Sequence, residues 1–230
     1  MIATGHYAKT ENGHLFMADD VKKDQTYFLY RADRQALQKT IFPLGDYIKS
    51  DVKALASKKG LITANKKESM GICFVGKVGI KEFLSQYVET SPGPIVDAHG
   101  LTVGEHDGAI FYTIGQRHGL NAGGGLPYYV SGKDMATNTV YVTTKLDDEK
   151  LWTSSIIIKD THWINQLPKD TNNLVVRLRH RGPLLKVKSI THDGDNTSTL
   201  HLKESQRAVA PGQSAVLYQN NECLGGGFIQ

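Results

Sequence analysis

Residues 174–190 read LVVRLRHRGPLLKVKSI, and their pattern predicts the fold of the C-terminal third of the chain. Apolar and basic side chains alternate on both sides of Gly182-Pro183, which is typical of two half-buried strands joined by a turn. Other short apolar runs follow, separated by turn signals such as Asp193-Gly194 and Pro211-Gly212. The predicted strands cover residues 156–158, 174–181, 185–190, 198–203, 215–218 and 223–229. Residues 149–230 are therefore predicted to form a small closed antiparallel β-barrel.

The basic residues of this stretch are predicted to share one strand face. A period of two places Arg177, Arg179 and Arg181 on the side opposite their apolar neighbours. Lys186 and Lys188 repeat the pattern on the next strand, and residue 180, a histidine, lies at the tip. Such a face suits phosphate contacts along an RNA backbone, although a solvated barrel exterior has the same pattern.

Residues 1–76 are predicted to belong to an α/β domain. Ser50 is expected to cap a helix that stops at Gly60, with Val52 and Leu55 at helical spacing. Asp24 is expected to cap a shorter helix that carries aromatic residues on its buried side. Residues 71–76 form a glycine-bracketed apolar strand in this interpretation.

Residues 77–148 differ in composition and are predicted to form a mixed α+β central domain. They are rich in glycine and proline, and 81–88 is their one short helical pattern. The glycine-rich run at 119–125 lacks the Gly-Lys-Ser/Thr ending of a phosphate-binding loop. The predicted domains are thus 1–76, 77–148 and 149–230.

The composition excludes several classes of protein. The chain has 230 residues, of which 40% are hydrophobic and 22% charged, with a formal net charge of +4. These values disfavour disordered, collagen-like and coiled-coil proteins. No apolar run is long enough for a membrane span, and no signal peptide or C-x-x-C motif is present. We therefore expect a cytoplasmic protein without membrane contact, and the histidine spacings predict no metal site.

Two cysteines are candidates for thiol chemistry. Cys73 lies on a short predicted strand between glycines, and the positive charges of Lys66 and Lys67 upstream favour its thiolate. A cysteine flanked by Ile and Phe is also typical of a small hydrophobic core residue. Cys223, near the C-terminus, is interpreted as a core residue.

Eight spaced blocks of the chain resemble a known enzyme family. The blocks are residues 3–8 (ATGHYA), 23–29 (KDQTYFL), 42–45 (FPLG), 68–74 (ESMGICF), 104–108 (GEHDG), 112–117 (YTIGQR), 210–215 (APGQSA) and 223–227 (CLGGG). Together they resemble the tRNA-specific 2-thiouridylases, in the order in which that family carries them. The resemblance implies the tail of a Rossmann-like PP-loop ATPase domain followed by the central domain and the barrel.

The resemblance also implies a reaction and its partners. Enzymes of this family replace the 2-oxygen of the wobble uridine in tRNA with sulfur, using ATP and a cysteine persulfide. ATP is thus the expected co-substrate, and tRNA is an expected partner. The second expected partner is a sulfur donor such as a cysteine desulfurase or a sulfur-relay protein.

Particular residues take on roles through the resemblance. Cys73 resembles the persulfide-bearing cysteine, and Gly5 resembles the backbone position that touches ATP. Lys23, Asp24 and Gln25 resemble one tRNA-contacting segment. Arg179 and His180 resemble a second one, where the family more usually carries Tyr in place of the histidine.

The family's N-terminal motifs are absent from the 230 residues. No Gly-Gly-x-Asp-Ser string occurs, and Cys223 lies in the wrong block to be the partner thiol of Cys73. We therefore expect a C-terminal portion of a thiouridylase that is inactive alone and binds ATP weakly. The alternative is a non-catalytic RNA-binding or protein-interaction module in which Cys73 is merely packed.

Overall fold

The computed structural model describes residues 1–65, 80–123, 127–166 and 171–230. They fall into two compact units. The barrel unit comprises Met1–Lys66, Ser154–Ser205 and Pro211–Gln230, and the central unit comprises Lys67–Thr153 and Gln206–Ala210. None of the helices in the described ranges combines the length and the apolar character needed to cross a membrane.

The N-terminal part of the barrel unit consists of short elements. They are β1 (Ile2–Ala3), β2 (Ala8–Glu11), β3 (His14–Met17), α1 (Thr26–Leu29), α2 (Arg34–Gln38), β4 (Thr40–Ile41) and α3 (Lys49–Lys58). Strands β1 and β4 pair in parallel, as expected for an α/β segment, and β2 and β3 form an antiparallel hairpin.

Two predictions about helix starts in this part are wrong. Helix α3 begins at Lys49 with Ile48 in the N-cap position, so Ser50 lies inside the helix. Helix α1 has Gln25 as its N-cap residue and no side-chain cap, because the carboxylate of Asp24 is bonded elsewhere. The predicted end of α3 is confirmed, since Gly60 follows the last turn with a φ of +67° that suits glycine.

The central unit contains a four-stranded sheet. Its elements are α4 (Ile80–Leu84), β5 (Gly93–Val96), β6 (Thr102–His106), a 3-10 turn (Ala109–Phe111), β7 (Tyr129–Asp134), β8 (Thr139–Thr143) and a second 3-10 turn (Glu149–Leu151). The strand order is β6-β5-β8-β7, in which only the β5–β8 pair is parallel. Ile95, Val130, Val140 and Val142 lie in its core. The helix expected at 81–88 is shorter than predicted.

The predicted β-barrel is confirmed. Its strands are β9 (Trp152–Trp163), β10 (Leu174–Arg177), β11 (Leu185–Gly194), β12 (Thr197–Arg207), β13 (Ser214–Gln219) and β14 (Glu222–Ile229). They follow the order β13-β10-β11-β12-β9-β14, and the pairing of β13 with β14 closes the ring. Alternate side chains such as Val176, Val187 and Leu200 are buried inside.

Strand β14 joins the barrel to the N-terminal elements. Its first residues, Glu222 and Cys223, pair with Phe16 and Leu15 of β3, whereas its later residues pair with β9. One hydrophobic cluster therefore combines residues from both regions. Its buried members are Ala8, Leu15, Met17, Tyr27, Tyr30, Leu37, Phe42, Ile164, Val216, Tyr218 and Cys223.

Candidate nucleic-acid interface

A buried ion pair connects the segment before α1 to strand β10. The side chains of Asp24 and Arg177 are almost fully buried, and the Arg177 Nη1 atom lies 2.9 Å from Asp24 Oδ2. The same carboxylate accepts hydrogen bonds from the Ala18 amide and the Thr26 hydroxyl. The Arg177 guanidinium also lies over the ring of Tyr218, 5.3 Å from its centroid. The pair thus fixes the position of α1 on the barrel.

The predicted basic strand face is wrong at Arg177. Strand β10 ends at Arg177, and the Arg177 side chain points inward to Asp24 rather than to solvent. Arg179 and Arg181 are exposed, but they belong to the connection after the strand, where Arg181 adopts a φ of +59°. On β11 the prediction is confirmed, because Lys186 and Lys188 are exposed on either side of buried Val187.

His180 lies between the two exposed arginines and packs on α1. Its ring centroid is 4.5 Å from that of Phe28 and 6.1 Å from that of Tyr27. Burial lowers the pKa of His180, and the positive charges of Arg181 and Arg177 lower it further. The lowered pKa favours the neutral imidazole, and the Nδ1 atom of His180 is buried without a hydrogen-bond partner among the described residues.

The predicted segment 23–25 lies beside this surface. Lys23 is partly exposed, whereas Asp24 is buried in the ion pair described above. The backbone N–H of Gln25 donates a hydrogen bond to the Tyr7 carbonyl oxygen, and the side-chain oxygen of Gln25 accepts one from the Tyr7 backbone N–H. The structure therefore brings 23–25 and 179–180 to neighbouring positions, with Lys23, Arg179 and His180 at the surface and Asp24 beneath it.

Gly5 follows the carboxyl end of β1. The next parallel strand, β4, is followed by Phe42-Pro43-Leu44, and the Leu44 Cδ1 atom would lie 3.9 Å from a Cβ atom placed on Gly5. Ligands of open α/β sheets bind outside the carboxyl ends of parallel strands. The location of Gly5 is thus compatible with a nucleotide contact.

The structure describes Cys223 but not Cys73. Cys73, Lys66 and Lys67 lie outside the described residues. Cys223 is fully buried, which confirms its interpretation as a core residue, and burial strongly raises the pKa of its thiol. Within the described ranges, no group of three or more His, Cys, Asp or Glu side chains is placed to hold a metal ion.

Three family models match consecutive parts of the chain. The model described as tRNA methyl transferase HUP domain matches residues 1–77. The tRNA methyl transferase PRC-barrel domain matches residues 81–144, and the aminomethyltransferase beta-barrel domain matches residues 153–229.

Curated relatives match over nearly the whole chain. The tRNA-specific 2-thiouridylase MnmA of Streptococcus sanguinis is 41% identical over 239 residues, covering 99% of this chain and 64% of the relative. The protein of that name from Enterococcus faecalis is 44% identical over 240 residues, with the same coverage. That of Legionella pneumophila is 41% identical over 242 residues, covering all of this chain and 66% of the relative.

The chain belongs to the tRNA-specific 2-thiouridylase family. It spans about two thirds of the length of the thiouridylases that it matches, or 64% for the first two named.

Sequence reasoning missed two features of this surface. One is the Asp24–Arg177 pair, whose partners are separated by 153 positions, so no local pattern indicated it. The other is the exposure of Phe28, since the sequence predicts that the aromatic residues of α1 lie on its buried side. Helical spacing indicates this exposure, because Tyr27 and Tyr30 are three residues apart and lie on one helix face, which Phe28 does not share.

Proposed function

We propose that the intact protein is an ATP-dependent tRNA 2-thiouridylase and that this chain supplies its sulfur-carrying cysteine and an RNA-binding surface. The observation that carries the proposal is 41–44% identity to curated thiouridylases over 99% of the chain. The matched ranges of the three family models support the proposed domain division at 1–76, 77–148 and 149–230.

The chemistry explains why a persulfide is needed. The uridine C2 carbonyl is a poor electrophile, so its oxygen first attacks the α-phosphate of ATP and pyrophosphate leaves. The terminal sulfur of a persulfide on Cys73 then attacks C2, and AMP leaves with the former carbonyl oxygen. A second thiol breaks the remaining S–S bond, forming a disulfide with Cys73 and leaving sulfur on the base. A cysteine desulfurase or a sulfur-relay protein is the proposed donor of the persulfide sulfur.

The sulfur-carrying role is tested by mass spectrometry of the chain after incubation with a cysteine desulfurase and cysteine. We expect a persulfide on the peptide that contains Cys73, its loss in Cys73→Ser, and its retention in the Cys223→Ala control. RNA binding without any persulfide on Cys73 would instead support the non-catalytic RNA-binding module.

The RNA-binding role is tested by the salt dependence of tRNA affinity. Arg179→Ala combined with Arg181→Ala removes two exposed cations, which should reduce the slope of log K against log salt by about 1 to 2. The control replaces two exposed lysines of α3, Lys53 and Lys58, with alanine and should leave the slope near that of the parent chain. An unchanged slope in the arginine variant would place the RNA contact elsewhere.

ATP is the proposed co-substrate of the intact enzyme, with Gly5 at its backbone contact. Because the sequence contains no Gly-Gly-x-Asp-Ser string, we expect this chain to bind ATP only weakly. Isothermal titration calorimetry measures this directly, and a dissociation constant in the micromolar range would contradict the expectation.

A further inference from the structure

We propose that Phe28 is a stacking platform for an unpaired RNA base. The inference deepens the proposed RNA-binding function and depends on it. It assigns to this side chain a ligand contact that the segments at 23–25 and 179–180 do not include.

The exposure of Phe28 is the first observation. Its side chain is 61% exposed on α1, whereas Tyr27 and Tyr30 of the same segment are buried at 5% and 4%. The two tyrosines anchor the segment, since their hydroxyls reach Ser214 of β13. The anchored helix therefore presents this ring to solvent, where a base can stack on it.

The ring of Phe28 is also held in a defined orientation. Tyr27 meets it edge-on at a centroid distance of 5.5 Å and an interplanar angle of 84°. His180 contacts it at 4.5 Å with a tilt of 40°. His180 thus adds a second aromatic surface beside the ring of Phe28, and its lowered pKa favours the uncharged form. A ring fixed before binding loses little conformational freedom when a base stacks on it.

The charges around the ring select the type of partner. His180 is flanked in the chain by exposed Arg179 and Arg181, and Lys23 lies on the segment that leads into α1. A surface that combines an exposed aromatic ring with cations suits a nucleobase and the phosphates attached to it. Bases within a duplex hide their faces by stacking on one another, so an unpaired base is the expected ligand.

The test compares a short single-stranded oligoribonucleotide with the blunt duplex of the same sequence. Phe28→Ala should weaken single-strand binding between about 5-fold and about 100-fold. Its salt slope should remain that of the parent chain, because stacking releases no counterions. Duplex affinity should stay the same. Phe28→Leu keeps an apolar side chain but lacks a π face, so it should behave like the alanine variant.

Two further variants test whether the effect comes from base stacking on Phe28. Phe28→Trp should retain affinity, and its additional indole fluorescence should be quenched when the single strand binds. Phe228→Ala is the matched control, because this ring of β14 is also partly exposed but lies under the Arg31 guanidinium at 5.3 Å. Its affinity for the single strand should not change.

The outcomes separate this inference from the proposed function. Single-strand affinity within about twofold of the parent chain in both Phe28→Ala and Phe28→Leu would overturn the stacking role. The RNA-binding function would survive that result if the Arg179 and Arg181 variant still lost salt dependence. If the parent chain bound neither tRNA nor the oligonucleotide, both proposals would fail.

Discussion

At the scale of single residues, His106 shows how burial controls protonation. The side chain ends β6 at 2% exposure, and its Nδ1 atom accepts a hydrogen bond from the Gly108 amide at 3.0 Å. Burial lowers the pKa of His106 from 6.5, although hydrogen bonding to the backbone of Asn138 opposes the shift. The folded protein therefore favours the neutral ring.

The free energy of unfolding is expected to fall as the pH falls below about 6.5, because the unfolded chain then binds a proton that folded His106 does not. The contribution is fully present above that pH and is lost progressively toward the lowered folded pKa. His106→Asn keeps an acceptor for the Gly108 amide but does not titrate, so it should flatten the dependence. Urea titrations across this pH range measure the effect, and an equally steep dependence in the variant would contradict it.

At the scale of secondary-structure elements, the Asp24–Arg177 pair couples α1 to β10. Both charges are removed from water, and the carboxylate has two other hydrogen-bond donors besides Arg177. A buried pair of this kind contributes little net stability compared with apolar residues. Removing one partner, however, leaves the other as an uncompensated buried charge. The pair should therefore determine where the aromatic residues of α1 sit on the barrel.

Asp24→Asn is expected to reduce the free energy of unfolding by about 3 to 5 kcal/mol. Arg177→Met in the same chain removes the unpaired charge and should recover part of the loss. The comparison is Asp19→Asn, which breaks an ion pair with Lys9 that is largely exposed and should cost at most about 1 kcal/mol. A double-mutant cycle by urea denaturation measures the coupling, and a cost for Asp24→Asn equal to that of Asp19→Asn would refute it.

At the scale of the whole molecule, closure of the barrel depends on how closely β14 approaches its neighbours. A Cβ atom on Gly226 would lie 2.1 Å from the Ala215 carbonyl oxygen of β13, which is closer than any stable contact. A Cβ atom on the adjacent Gly225 would lie at the same distance from the His162 carbonyl oxygen of β9. The glycines thus allow one strand to pair on both sides and complete the ring.

Gly226→Ala should destabilise the barrel unit by about 1 to 3 kcal/mol or more, because backbone atoms must move to admit the methyl group. Gly132→Ala on β7 is the control, since its nearest neighbour would be the Tyr141 Cδ2 atom at 3.7 Å, an ordinary contact. Its effect should stay within about 0.5 kcal/mol. Circular dichroism during urea unfolding compares the two variants, and equal midpoints would show that β14 tolerates a side chain at Gly226.

Local patterns in the sequence are enough to predict the barrel strands and the family. Alternation with a period of two and turn signals between the runs are local properties, and they placed the strands of residues 149–230 close to where the structure has them. The order of the spaced motifs determined the family in the same way, because it requires no knowledge of contacts.

Which side chains face the solvent at the candidate site depends on contacts between distant parts of the chain. Alternation placed Arg177 with Arg179 and Arg181, but β10 ends at Arg177, and Asp24 compensates for burying its charge. The exposure of Phe28 likewise depends on Tyr27 and Tyr30 contacting β13. These outcomes are set by groups that are distant in sequence, because the free energy of a buried charge or ring depends on what surrounds it in space.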